Sequence, residues 1–349
     1  LRRSQSSEVG SSCCQLEDLK KLPQCDLKLG KLSFTKSHIV LIDVKAFHCG
    51  DIRPQEGRDL WHHKYVKLPC SPSSWSPKPD IEVGPVKIKA IPLLQHQEPA
   101  SITLSQVQIS CLLANAFYCT FPHRNTTRPD AEYHNYPSIN FTRLFGNQSE
   151  RKTEKLLAIM QYFNVVTDES ECKPHLTRLC KDTMQKLHVT SKGEIEVEGK
   201  GMLQVDFAAS WIGGGVLDSG LVQEEILFLI NPELIVSRLF TEKLDDNECL
   251  IITGTQQFSC YSGFSDSFKW IGPYDDDLER DEWGRLKRQI LAIDALHFRH
   301  HRDQYSMAKI RRELNKAYCG FKGHHGHQEP DIATGKWGCG AFNGDPELK

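Results

Sequence analysis

The amino-acid sequence predicts an α/β protein, on three observations. Past about residue 185, short apolar segments of strand length alternate with helical patterns. Two glycine-rich stretches, at Gly213, Gly214 and Gly215 and across residues 334–344, fall just beyond such segments. Ahead of them lie two stretches with apolar residues at helical spacing. In open sheets of this class, ligands bind beyond the carboxyl ends of the strands, where glycine loops belong.

Taken in order, residues 1–30 are polar, serine-rich and without periodicity, which predicts a disordered lead-in. Residues 38–44 (His-Ile-Val-Leu-Ile-Asp-Val) read as a short strand, and the Pro/Ser-rich 69–79 as a linker or loop. Residues 105–119 carry a helical apolar pattern with Ser105 as the N-cap candidate, and 154–163 predict a second helix. Segments 187–190, 195–198 and 202–207 alternate or cluster as strands. The apolar stretch 226–230 follows the first glycine loop, and Asn231-Pro232-Glu233 restarts a helix through Phe240, with Pro232 suited to its first turn. Residues 250–254 and 290–294 are buried strands, and 308–318 a helix, before the second glycine loop. No internal repeat is present.

At 349 residues the chain has room for one large domain or two ordinary ones. The hydrophobic fraction of 39% and charged fraction of 25% are those of a soluble globular protein. No apolar run approaches the roughly 18 residues of a membrane span. The start, Leu1-Arg2-Arg3-Ser4, has neither an initiator Met nor the apolar core of a signal peptide, so the chain reads as a piece of a longer one. Its 13 cysteines are scattered and odd in number, which favours reduced thiols and an intracellular compartment over a disulfide framework. The sequons at Asn125, Asn140 and Asn147 then go unused. A net charge of −2 offers no basic field to a polyanion, and the basic clusters at Arg311-Arg312 and 297–302 read as solvated faces.

Residues 205–230 carry the chemistry. An apolar strand runs into the three glycines, and Gln223-Glu224-Glu225 then heads an apolar segment. A backbone without side chains approaches phosphates closely and adopts positive φ. The two carboxylates beyond it supply acid/base capacity. This is the layout of a site that binds a phosphorylated sugar and acts on it, although on the residues alone the Glu-Glu pair reads more readily as a solvated pair. A generic nucleotide site is disfavoured, because no Walker lysine or G-x-G-x-x-G follows a strand. His324-His325-Gly326-His327 reads as a solvated loop rather than a zinc site, since no Cys pair stands at ligand spacing. Neither a metal nor a cofactor is expected.

Three glycines followed after a short spacer by Gln-Glu-Glu resemble the signature of the poly(ADP-ribose) glycohydrolase family. Residues 199–208, 250–255, 292–298, 313–321 and 338–342 extend the match, and 103–106 with 111–117 look like the family's helical accessory region. The resemblance covers most of residues 38–349. It implies a macrodomain-like three-layer α/β/α sandwich with a mixed sheet over 186–349, preceded by a mainly helical accessory domain over 31–185. It implies hydrolysis of ribose–ribose glycosidic bonds through a transition state of oxocarbenium character. Poly(ADP-ribose) on modified proteins is the implied partner; direct nucleic-acid contact and a membrane are not expected, and the chain is expected to be monomeric, in nucleus and cytoplasm.

By the family's motif Glu225 is the acid/base, Glu224 positions the ribose hydroxyls and Asp206 orients the substrate. Adjacent helical residues point about 100° apart, so the two glutamates take different jobs. A helix N-terminus favours ionised carboxylates. An acid placed there must draw on burial and a neighbouring like charge to carry its proton, and Leu221-Val222 and Ile226-Leu227-Phe228 supply the burial. Ile195 and Glu196 match the residues that receive the adenine, with Gln223 lining the same pocket. Tyr261 and Phe264 fall where the family has aromatics, and a tyrosine is usual at position 264. Gly338, Cys339, Gly340, Ala341 and Phe342 should cradle the diphosphate through backbone N–H groups, where the bland reading is a simple glycine turn; Cys339 is a packing residue.

Ala209 and Lys336 each stand where the family usually has asparagine. Residues 85–90 look short for the accessory region, and the family continues past position 349 with a helix, a strand and a phenylalanine beside the adenine. These departures leave a second reading, a non-hydrolysing ADP-ribose binder or an inactive truncated form.

Overall fold

The computed structural model describes residues 66, 91–98, 100–121, 124, 128–131, 133–167, 176–177, 189–190, 193–281, 284–322 and 330–349. The expected lead-in, the strand at 38–44, the linker at 69–79 and the histidine run at 324–327 lie outside these residues. So do residues 187–188 of the strand expected at 187–190, and Val189 and Thr190 form no strand.

β1 (Leu104–Ser105) leads into α1 (Gln106–Phe117), and the serine cap forms as the sequence predicts. Ser105 Oγ accepts from the Gln108 N–H at 3.2 Å, and Gln108 Oε1 accepts from the Ser105 N–H at 2.9 Å, a capping box. The short α2 (Thr142–Phe145) is followed by α3 (Glu150–Val166), capped by Ser149, and by β2 (Leu176–Thr177), which pairs antiparallel with β1. The buried face of α3 is Lys152, Lys155, Ala158, Ile159 and Tyr162, an apolar stripe whose first turns carry two lysines.

The strand expected at 195–198 is instead a single helical turn, α4 (Ile195–Glu198). The edge of β3 (Leu203–Ala208) where such a strand would lie is taken by residues near the end of the chain. The Ile-Glu-Val-Glu alternation therefore has no strand partner. It closes as a turn, with Glu194 O accepting from the Val197 and Glu198 N–H groups, and Gln204 Nε2 donates to Ile195 O and Gly199 O.

After β3 the glycine loop leads to α5 (Gln223–Ile230). The helix expected through Phe240 is divided: Pro232–Val236 form a 3-10 turn, and α6 (Ser237–Phe240) follows it. Asn231 punctuates the junction, its Nδ2 donating to Leu227 O at 3.0 Å. The rest of the chain supplies β4 (Leu250–Thr253), β5 (Ser259–Ser262), β6 (Lys269–Pro273), β7 (Gln289–Asp294), α7 (Met307–Phe321) and β8 (Ile332–Ala333). The hairpin β5–β6 and the strand β8 had no distinct sequence signal.

The main sheet runs β4-β7-β3-β8. β3 is parallel to both β7 and β8, and β4 is antiparallel to β7, so the sheet is mixed. Period-two alternation sends Leu203, Val205, Leu291, Ile293 and Ile251 to one face, where Phe321 and Trp337 cover them. α7 lies so close there that a Cβ on Gly320 would stand 2.8 Å from Leu291 Cδ2. The other face, with Ala208, Ile290, Ala292, Leu250 and Ile252, joins α5 in a core that continues unbroken into α1 and α3 through Ile109, Leu113 and Tyr162. Helix α7, sheet, and the α5 side form three layers, with the helical region seated on the third. Each fully buried Leu, Ile or Phe in this core contributes roughly 1.5–3 kcal/mol.

Candidate active site

Asp206 sits on β3 on the face toward α5 and is wholly buried. The loop after β3 and the first turn of α5 bring Glu224 and Glu225 beside it, 3% and 5% exposed. Both carboxylates are gripped by backbone. Glu224 accepts from the Ala209 N–H at 2.8 Å and the Gly213 N–H at 2.6 Å. Glu225 accepts from the Gly215 N–H at 2.8 Å and, as the third residue of α5, from the N-cap Val222 N–H at 2.9 Å.

The glycines are required by this packing. Gly214 has φ +43°, and a Cβ there would lie 2.5 Å from Glu225 Oε1 and 2.8 Å from Glu224 Oε2. A Cβ on Gly220 would lie 2.6 Å from the same Glu225 oxygen. The close approach for which the sequence calls glycine is, in the first place, to the protein's own carboxylates.

Burial, then repulsion from Asp206 and Glu225, holds the Glu224 carboxyl well above its ordinary range, against the pull of the two N–H groups. Burial and then Glu225 raise Asp206 likewise. Neither Asp206 oxygen has a hydrogen-bond partner among the described residues, as suits a protonated acid beside other carboxyls. Burial thus favours the protonated form of Asp206 and Glu224, the form in which a carboxyl can donate.

The carbonyls of the same loop face cations. Arg238 Nη1 donates to Ile212 O at 2.6 Å and Gly214 O at 3.1 Å. Lys155 Nζ donates to Gly215 O at 2.9 Å, Val216 O at 3.1 Å, Asp218 O at 2.8 Å and Gly220 O. Arg151 Nη1 reaches Ser219 O at 3.2 Å. Arg238 is held in turn by Arg124, whose Nη2 donates to Arg238 O at 2.8 Å. The sequence reading missed all of these. The available signal was a lysine at 155, three, four and seven residues before Ala158, Ile159 and Tyr162, on the stripe that a helix buries.

The other expected site residues form two further groups. Ile195 and Glu196 lie half-buried on α4, and the Tyr261 hydroxyl donates to Glu196. Tyr261 stacks on Phe268 with centroids 5.7 Å apart, while Phe264, at the tip of the β5–β6 hairpin, is exposed. Gln223 ties this side to β3, its Oε1 accepting from the Phe207 N–H at 2.8 Å and its Nε2 donating to Val205 O at 3.2 Å. Residues 338–342 follow β8 and are anchored to the end of β7 by Trp337 Nε1 donating to Ile293 O at 2.9 Å. Phe342 lies 5.6 Å from the His297 ring, Cys339 is half-buried, Gly340 and Ala341 are exposed, and Gly338 turns with φ +77°. Both glycine loops thus leave the carboxyl ends of parallel strands on the same side of the sheet. Of the departures, Ala209 keeps its backbone contact to Glu224, and Lys336 is exposed. Among the described residues no group of three His, Cys, Asp or Glu is placed to hold a metal ion. None of the described helices is long and apolar enough to cross a membrane.

Residues 175–349 match the family profile described as poly(ADP-ribose) glycohydrolase, Macro domain fold, and residues 72–181 match the helical domain of the same family. Among curated relatives, poly(ADP-ribose) glycohydrolase 1 of Arabidopsis thaliana is 32% identical over 344 residues, covering 74% of this chain and 61% of its own length. Probable poly(ADP-ribose) glycohydrolase 2 of the same plant is 31% identical over 348 residues, covering 81% and 65%. Poly(ADP-ribose) glycohydrolase 1 of Caenorhabditis elegans is 34% identical over 276 residues, covering 71% and 33%. The chain therefore spans less than two thirds of each of these relatives.

Proposed function

The chain belongs to the poly(ADP-ribose) glycohydrolase family, and on that premise we propose that it hydrolyses the ribose–ribose O-glycosidic bonds of poly(ADP-ribose) and releases ADP-ribose. The observation that carries this reading is the buried cluster Asp206, Glu224 and Glu225, clasped by the N–H groups of the glycine loop at the carboxyl end of β3.

In the proposed reaction Glu225 gives its proton to the leaving ribose oxygen as the glycosidic bond breaks. Positive charge builds on the anomeric carbon and ring oxygen, and the resulting carboxylate then takes a proton from the attacking water. Glu224, fixed at both oxygens, positions the ribose hydroxyls, and Asp206 orients the substrate from beneath. Ile195, Glu196, Gln223, Tyr261 and Phe264 receive the adenine, and the backbone of 338–342 takes the diphosphate. Support for that last role is the open space beside Gly340, where a Cβ would meet nothing within 4 Å. The proposed division of labour places substrate binding and chemistry in residues 186–349, with the helical residues before about 185 bracing them from behind.

Incubation with radiolabelled poly(ADP-ribose) tests the reading. Glu225→Gln should lower ADP-ribose release by about 10³-fold, the scale of a lost general acid/base, while ADP-ribose still binds. A wild-type chain that binds the polymer and releases nothing is an ADP-ribose reader, and the hydrolase proposal fails.

A further inference from the structure

The loop between β3 and α5 is held on its two sides by opposite charges. Its N–H groups at 213 and 215 point to carboxylates. Its carbonyls at 212, 214, 215, 216, 218, 219 and 220 accept from Arg238, Lys155 and Arg151. Lys155 alone takes four of those carbonyls, is wholly buried, and comes from α3, outside the α/β layers.

We infer that Lys155 is a positioning residue for the reaction proposed above: its ammonium fixes residues 215–220 so that the loop holds the Glu225 carboxylate in working position. The inference rests on that functional reading for its catalytic part only. Gly215 links the two groups directly, since its N–H binds Glu225 and its carbonyl binds Lys155. Gly220 does the same by contact, its carbonyl on Lys155 and its Cα hydrogens against Glu225 Oε1.

Four carbonyl oxygens around one nitrogen demand an ammonium, because a neutral amine has two N–H donors and turns a lone pair on the remaining acceptors. Burial pushes Lys155 down to about 7; Glu225 and Asp218 pull it up, and Arg151 and Arg238 push it down. These four are the charged groups with the largest effect on it. The clamp therefore weakens as pH rises through about 7. Stability moves the other way: a lysine whose pKa is lower folded than unfolded binds fewer protons when folded, and its contribution rises with pH across that window. A role in stability alone predicts no alkaline loosening of the loop.

The test uses the whole chain with Lys155→Met and Lys155→Arg, read by turnover of poly(ADP-ribose) and by hydrogen–deuterium exchange over 213–222. In K155M, kcat should fall about 10²-fold, as for a reacting group displaced by about 1 Å, with KM changed less than about threefold. Loop peptides should exchange faster while β7 keeps its protection, and K155R should recover much of both. A folded K155M with wild-type kcat and wild-type loop exchange overturns the inference. A wild-type chain without turnover overturns the functional reading instead, and loop exchange still decides the clamp. If K155M does not fold, the wild-type chain decides: the amides of 213–222 must be protected to within about tenfold of β7, and exchange of that loop at the rate of unprotected amides overturns the inference.

Discussion

Gly214→Ala places one methyl group against both glutamate carboxylates of the candidate site. The new Cβ would stand 2.5 Å from Glu225 Oε1 and 2.8 Å from Glu224 Oε2, against an ordinary contact that begins at 3.4 Å. Relief requires the two carboxylates to retreat by about 0.9 and 0.6 Å, or the loop to lift by as much. Either movement disturbs the N–H bonds from Gly213 and Gly215 that set both side chains. A misplacement of about 1 Å at a reacting group costs on the order of 10²-fold, or about 2.7 kcal/mol in the barrier. A second cost falls on the fold, because φ of +43° is unfavourable for alanine by roughly 1–2 kcal/mol. Gly201→Ala separates the two effects, since Gly201 has φ +77° and a Cβ there meets nothing within 4 Å. Both variants should lose a few degrees of Tm, and G214A alone should lose kcat in the polymer assay. A G214A variant that turns over within about threefold of wild type would refute the claim that the glycines exist to admit these carboxylates.

Two further predictions concern buried acids. Glu233, 3% exposed, accepts from Gln106 Nε2 and the Gln256 N–H, both at 2.9 Å, yet burial raises its carboxyl to about 7. A raised carboxyl contributes stability that is full below its unfolded value and lost as pH rises through about 7, so Glu233→Gln should flatten that loss by up to about 3 kcal/mol, read as Tm from pH 5 to 9. Burial and then Glu225 raise the Asp206 carboxyl, so Asp206→Asn should raise Tm on the alkaline side while slowing turnover; an unchanged Tm profile counts against that raised carboxyl.

The parts of this site that were legible in the sequence are those fixed by local chemistry. Ser105 announces its helix because a cap is a contact three residues long, and Met202 to Phe207 announce a strand by their clustered apolar residues. The turn at 195–198 was misread because alternation is the same signal whether or not a partner strand exists, and the partner place beside β3 went to residues 332–333. The two-residue β8 carries no pattern of its own to announce that claim.

The glycines were read correctly as places of close approach, but a sequence cannot say what approaches. Phosphate, backbone and carboxylate all ask for the same missing Cβ. The distinction lies in long-range geometry: Glu225 reaches back ten residues to Gly215, and Lys155 reaches sixty residues forward to its carbonyl. The 214–215 peptide plane is held from both edges by opposite charges, its N–H donating to Glu225 and its carbonyl accepting from Arg238, and Lys155 holds the next carbonyl along. A loop so held needs no ligand to shape it, which implies that the carboxylates are in place before any substrate binds. Preorganised donors spend no binding energy on ordering the site. The cost falls on the fold, in burying Lys155 and two further cations behind the loop, and the helical region repays it by supplying the apolar stripe on which Lys155 rides.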